Sequence, residues 1–245
     1  MSAAHGGYYL PDPTKWPIIT SMGLFLLALG FTLQIHHLAP GPWLMAAGAI
    51  IIVLMLYAWF SQVATESEAG RYDAQVDTSF RMGMGWFIFS EVMFFAAFFG
   101  ALFYTRVLSV PWLAGEEMLW PGFEAAWPTA GPQGAAYIGP DAHEVAPGQF
   151  SSIGAFGVPL LNTILLLASS VTVTIAHWAL KKNQRAKLNF WLFVSVVLGF
   201  AFLYFQAGEY MEAYNHLGLT LGSGVYGATF FMLTGFHGLH VTIGA

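Results

Sequence analysis

Cysteine is absent from all 245 residues, and with it go disulfides, thiolate metal sites and any cysteine-ligated copper centre. Charge is scarce too: Asp, Glu, Lys and Arg make up 9% of the chain, against roughly 25% in a soluble domain. Such a surface is not built for water. The formal net charge of -5 offers no basic footprint for nucleic acid. The N-terminal "MSAAHGGYYLPDPTKW" lacks a basic n-region, and the first apolar run is too long for a signal-peptide core. That run is expected to stay in place as a helix.

What is abundant is apolar surface. The chain is 57% hydrophobic, with a mean hydropathy of +0.62, which makes it an integral membrane protein. Six windows are long enough to span a bilayer, at about 16–38, 43–63, 80–107, 153–180, 188–211 and 224–245. They are continuous rather than alternating, so they read as helices and not as barrel strands. The fold class is therefore all-α, with six transmembrane helices. Trp16, Trp43, Trp59, Trp86, Trp178 and Trp191 fall near window ends, where interfacial aromatics belong.

The expected organisation is an N-terminal helical hairpin over 1–63, a cytoplasmic loop over 64–79 and a main bundle over 80–245. A tight "HHLAPGPW" turn closes the hairpin. A long periplasmic loop at about 109–152 interrupts the bundle and holds six of the twelve prolines, Pro111, Pro121, Pro128, Pro132, Pro140 and Pro147. Placing the N-terminus inside puts Lys15, Arg71, Arg81, Lys181, Lys182, Arg185 and Lys187 on the cytoplasmic side and only Arg106 outside. That asymmetry sets the orientation. The last window stops at "LHVTIGA" without a polar anchor, so further chain is expected beyond it.

Against this apolar background Glu91 stands out, in "GWFIFSEVMFFAAFFG" at 85–100. Its neighbours one helical turn away are Phe87, Ile88, Phe94 and Phe95, and none can pair with it. An ionisable group at membrane depth is costly and is a functional-site hypothesis by default. A neutral, hydrogen-bonded acid is expected, unless another helix supplies a partner. Ala96, Ala97, Gly100 and Ala101 on the same helix form small-residue pairs suited to close helix packing.

Other polar groups divide differently. His237 and His240 in "TGFHGLH" are three apart and could ligate a metal or haem. Gly235 and Gly238 beside them favour the other reading, a packed and hydrogen-bonded pair. Histidines at matched depths on facing helices are missing, so no redox centre and no metal are expected in this chain. Glu209 and Glu212 in "QAGEYMEAYNH" read as a water-exposed rim. Trp59, Arg71 and Arg81 at the inner face are candidate lipid-headgroup contacts.

Four segments then converge on one family. "FSEVMFF" (89–95), "PLLNTILLLASSVTVTIAHWAL" (159–180), "QAGEYMEA" (206–213) and "GVYGATFFMLTGFHGLHVTIG" (224–244) resemble, in order, subunit III of cytochrome c oxidase. The resemblance implies a seven-helix, non-redox subunit of an aa3-type proton-pumping oxygen reductase. Haem and copper would sit in partner subunits, with subunit I in direct contact and subunit II in the same complex. Helices 1–2 would form a V with the remaining bundle, its cleft filled by phospholipid. The family's buried carboxylate matches Glu91, and its inner-leaflet, lipid-associated glutamate matches Glu66. Support of proton uptake and protection of the catalytic subunit are the implied roles, in a bacterial inner membrane. The chain departs from the family at Thr65, where a basic lipid contact is usual, at Gly100, where many relatives have tryptophan, and in "AHWAL", where paired histidines are usual.

Two rivals remain at this stage. One is the equivalent subunit of a quinol oxidase, which commonly lacks the N-terminal hairpin. The other is a proton-coupled transporter relaying through Glu91, which would be expected to show internal repeats that are not seen here.

Overall fold

Six long helices carry the chain. In the computed structural model, which describes residues 13–142 and 144–244, they are α1 Trp16–Ile35, α2 Gly41–Glu68, α3 Ala74–Tyr104, α5 Val158–Lys181, α6 Arg185–Asn215 and α7 Gly224–Gly244. A π-helical turn, Thr105–Ser109, joins α3 to the short α4, Val110–Gly115. The "YYLPD" segment near the N-terminus lies outside the described residues.

The six helices coincide with the six apolar windows. Five runs, including the 42-residue stretch Ala74–Gly115, are long and apolar enough to cross a membrane. The sixth helix, α7, is 21 residues long, about 31 Å at 1.5 Å per residue, and its histidines and glycines dilute its apolarity. Helix ends differ from window ends in one place that matters. α2 runs on to Glu68 and α3 starts at Ala74, so most of the polar stretch expected as a loop at 64–79 is helical. Hydropathy marks where hydrocarbon begins, whereas backbone hydrogen bonds continue the helix into water. Asp73 starts α3 by accepting the Gln75 and Val76 N–H groups at 3.0 and 2.9 Å, an N-cap.

The chain divides into two compact units, Met1–Phe89 and Ser90–Ala245. In the first, α1 and α2 pack through glycines. Gly23 and Gly30 of α1 meet Gly48 and Gly41 of α2, backbone against backbone; a Cβ on Gly48 would stand 2.7 Å from the Gly23 carbonyl oxygen. Small residues that let backbones approach are how helices associate in lipid. At the far end of the hairpin, Trp16 Nε1 donates to Gln62 Oε1 at 2.8 Å. Gln62 Nε2 in turn donates to Glu66 at 2.7 Å.

In the second unit, α5 and α6 lie side by side. Ala176 and Ala179 are buried, and Thr172 and Ser195 share a 2.6 Å hydroxyl hydrogen bond inside the pair. The proline-rich segment after α4 carries two short strands, β1 Ala136–Pro140 and β2 Gln149–Ser152, paired in parallel with Ala136 opposite Gln149. It folds onto the ends of α6 and α7. The Val225 and Tyr226 N–H groups, free donors at the start of α7, give to the carbonyls of Ala130 and Thr129 at 3.3 and 3.1 Å. Phe150, Leu217, Leu219, Ala213 and Phe231 form the buried core beneath that segment. Gly224 takes a left-handed φ of 73°, and a Cβ there would run into the Ala130 carbonyl.

Candidate functional site

α3 and α7 meet through aromatic rings. Phe94 packs edge-on to Phe236 with centroids 5.2 Å apart, and Phe98 lies 5.1 Å from the same ring. Phe94 and Phe95 flank the imidazole of His240 at 5.7 and 5.2 Å. Into this aromatic seam projects Glu91.

Its partner is on the other helix. Glu91 Oε2 lies 2.6 Å from His240 Nε2, and the two side chains are 32% and 34% exposed in this chain. The expectation of a lone carboxyl is thus replaced by a pair, in the way foreseen if a second helix contributed. His240 Nδ1 lies 2.6 Å from the Phe236 carbonyl oxygen on its own helix. A carbonyl oxygen only accepts, so Nδ1 carries a proton. The Glu91–His240 contact then holds one further proton, placed either on the carboxyl, donated to a neutral Nε2, or on Nε2, donated to a carboxylate. Either way the site is hydrogen-bonded at every ring nitrogen.

His237 does not share this role. Its ring lies edge-on to Phe202 of α6, centroids 6.1 Å apart. The two histidines, three apart, serve two different neighbours. Among the described residues no group of three or more His, Asp or Glu side chains is placed to hold a metal ion.

The expected lipid contacts lie in the first unit. Trp59 is 43% exposed and stacks on Phe60 with centroids 5.6 Å apart. Glu66 accepts from Gln62 and, at 2.8 Å, from the Tyr72 hydroxyl. The Arg71 backbone N–H donates to the Glu66 carbonyl at 3.2 Å. Arg81 pairs with Asp77 at 2.9 Å, one turn back on α3 and in the open. Glu66 is therefore part of the network at the open end of the hairpin.

One reading of the sequence is overturned. Glu209, expected on a water-exposed rim, is 8% exposed, while Glu212 is exposed. Asn162, polar within the apolar "PLLNTILLL" run, was the available signal; it reaches Glu209 from α5.

The sequence as a whole matches the family model described as cytochrome c oxidase subunit III over residues 6–132 and 141–245. The chain belongs to the cytochrome c oxidase subunit III family. Proteins described as "Cytochrome c oxidase subunit 3" from Pongo abelii and Lumbricus terrestris are similar to it, at 36% identity over 246 residues and 37% over 239. Those alignments cover 100% and 97% of this chain, and 81% and 79% of the relatives. The corresponding protein of Gadus morhua is 34% identical over 239 residues, 97% of this chain and 78% of its own length. Subunit III family membership assigns the chain to the non-catalytic part of a respiratory oxidase.

Proposed function

We propose that this chain works as a non-redox subunit of a cytochrome c-type, aa3-class proton-pumping oxidase, seated against subunit I in a complex that also contains subunit II. It stabilises the catalytic subunit and supports proton uptake there, in a bacterial inner membrane with its N-terminus in the cytoplasm. The names of its relatives favour the cytochrome c over the quinol reading, and the seven-to-one Lys/Arg asymmetry favours the orientation. Haem and copper belong to the partners. Phospholipid associates with the inner end of the first unit, where Trp59, Arg71 and Arg81 offer aromatic and cationic groups to headgroups and Glu66 lies beside them.

The observation that carries the reading is the Glu91–His240 pair. Two ionisable side chains are held within a helix seam lined by phenylalanine, where such groups are retained for a role. Because the pair already satisfies both partners, Glu91 acts by holding α3 to α7 rather than by passing its proton onward. The test is a pull-down through a tag on this chain, followed by an optical spectrum. Haem and copper in the eluate support an oxidase subunit. A chain that purifies alone and drives substrate uptake in vesicles overturns it.

A further inference from the structure

A second carboxylate lies inside the protein, and nothing in the oxidase role uses it. Glu209 of α6 is 8% exposed and Asn162 of α5 is 3% exposed. Their one direct link, from Asn162 Nδ2 to Glu209 Oε2, is 3.5 Å long, beyond the usual 2.7–3.2 Å range for an N–H···O bond. The other two oxygens, Asn162 Oδ1 and Glu209 Oε1, are buried with no hydrogen-bond partner among the described residues. The amide oxygen can only accept, and so can the carboxyl oxygen while Glu209 is ionised. A buried acceptor of this kind requires a donor or a cation.

Glu209 lines a cavity of about 200 Å³ at the loop end of α5 and α6, together with Asp141, Glu212, Val158 and Pro159. Three carboxyl groups and no basic side chain line it. Asp141 is held in place by the loop fold: its N–H donates to the Ser152 carbonyl at 2.9 Å, and its Oδ1 accepts from the Gly154 N–H at 2.8 Å. The cavity sits beside the first turn of α5.

We propose that this cavity binds a hard cation through Glu209, with water completing the shell. The side-chain donors on offer are carboxylate oxygens, the ligand set of Mg²⁺, Ca²⁺ and Na⁺ rather than of softer metals. No three acidic side chains converge tightly enough to enclose a bare ion among the described residues, so the ion keeps several of its waters. A water occupies about 30 Å³, and the cavity has room for them. Keeping waters while binding through one or two carboxylates is the habit of Mg²⁺. A cation there offsets the negative charge of the three carboxyl groups that line the cavity.

The experiment uses the intact oxidase complex, stripped with chelator and titrated by calorimetry with Mg²⁺, Ca²⁺ and Na⁺ separately. One site should be present in the natural complex and missing in Glu209→Gln. Because Glu209→Gln removes a buried group and could impair assembly, Glu212→Gln provides a second measurement: this residue is exposed at the cavity, and its loss should weaken the same site about tenfold, 1.4 kcal/mol. Whichever ion shows that pattern identifies the occupant. Identical titrations of the natural complex and the Glu212→Gln variant with all three ions would overturn the site and leave the pair to water or a bound proton.

Discussion

Gly30 of α1 and Met45 of α2 are so close that a Cβ on the glycine would stand 2.6 Å from the Met45 backbone nitrogen. That distance leaves the neighbouring backbone nowhere to go. Gly30→Leu should separate the two helices and lower the yield of assembled complex, whereas Gly100→Leu, where a Cβ meets open space in this chain, should do less to the fold of the isolated subunit. Overpacking of this kind costs about 1–3 kcal/mol or more. Limited proteolysis of the hairpin turn, compared between the two variants in detergent, reads the difference.

Glu91→Gln should assemble and keep most oxidase turnover and proton pumping. The amide can donate to a neutral His240 Nε2, reproducing the one hydrogen bond seen at 2.6 Å. Glu91→Lys places a second cation-forming group against His240 and should reduce incorporation of this subunit. Proton-to-electron ratios in reconstituted vesicles decide the first point. Lost pumping in the Gln variant, with normal haem content, would mean that the proton on the pair moves.

His240→Leu should destabilise the subunit more than the double change Glu91→Leu with His240→Leu. Removing one partner leaves a polar group in an apolar seam, at about 1–3 kcal/mol, while removing both exchanges the pair for apolar packing. A double-mutant cycle on thermal release of this subunit from the complex gives the coupling. Additive single and double effects would show that the two side chains do not depend on each other.

Detaching this chain from the purified complex should leave haem and copper content unchanged, because the sequence has no cysteine and no group of three or more His, Asp or Glu is placed to hold a metal among the described residues. Phospholipid should leave with it. Arg81→Ala should reduce that bound phospholipid with little effect on folding, since the Arg81–Asp77 pair is exposed and such pairs contribute little. Metal analysis and lipid phosphorus on the separated fractions measure both.

Much of the fold was legible in the residues because hydrocarbon solvent imposes a simple demand. Every spanning segment must be long, apolar and internally hydrogen-bonded, so α1, α2, α3, α5, α6 and α7 each announce themselves. Glu91 could be singled out for the same reason, since the cost of a carboxyl among phenylalanines is visible along one helix. Its partner was not visible. His240 lies far away in the chain, and its own neighbours suggested only packing.

Helix rotation explains the rest. Glu209 and Glu212 differ by one turn of α6 and have the same composition around them, yet the first is buried against Asn162 and the second is exposed. Which side of α6 faces α5 depends on how the Thr172–Ser195 contact and the buried alanines seat the two helices. The glycines of α1 and α2 likewise look like ordinary small residues until two backbones are seen to touch. Composition and the length of the apolar runs determined that the chain lives in a membrane, as helices. Tertiary structure decided which polar groups meet, because hydrogen bonds are short and directional while the hydrophobic effect is neither.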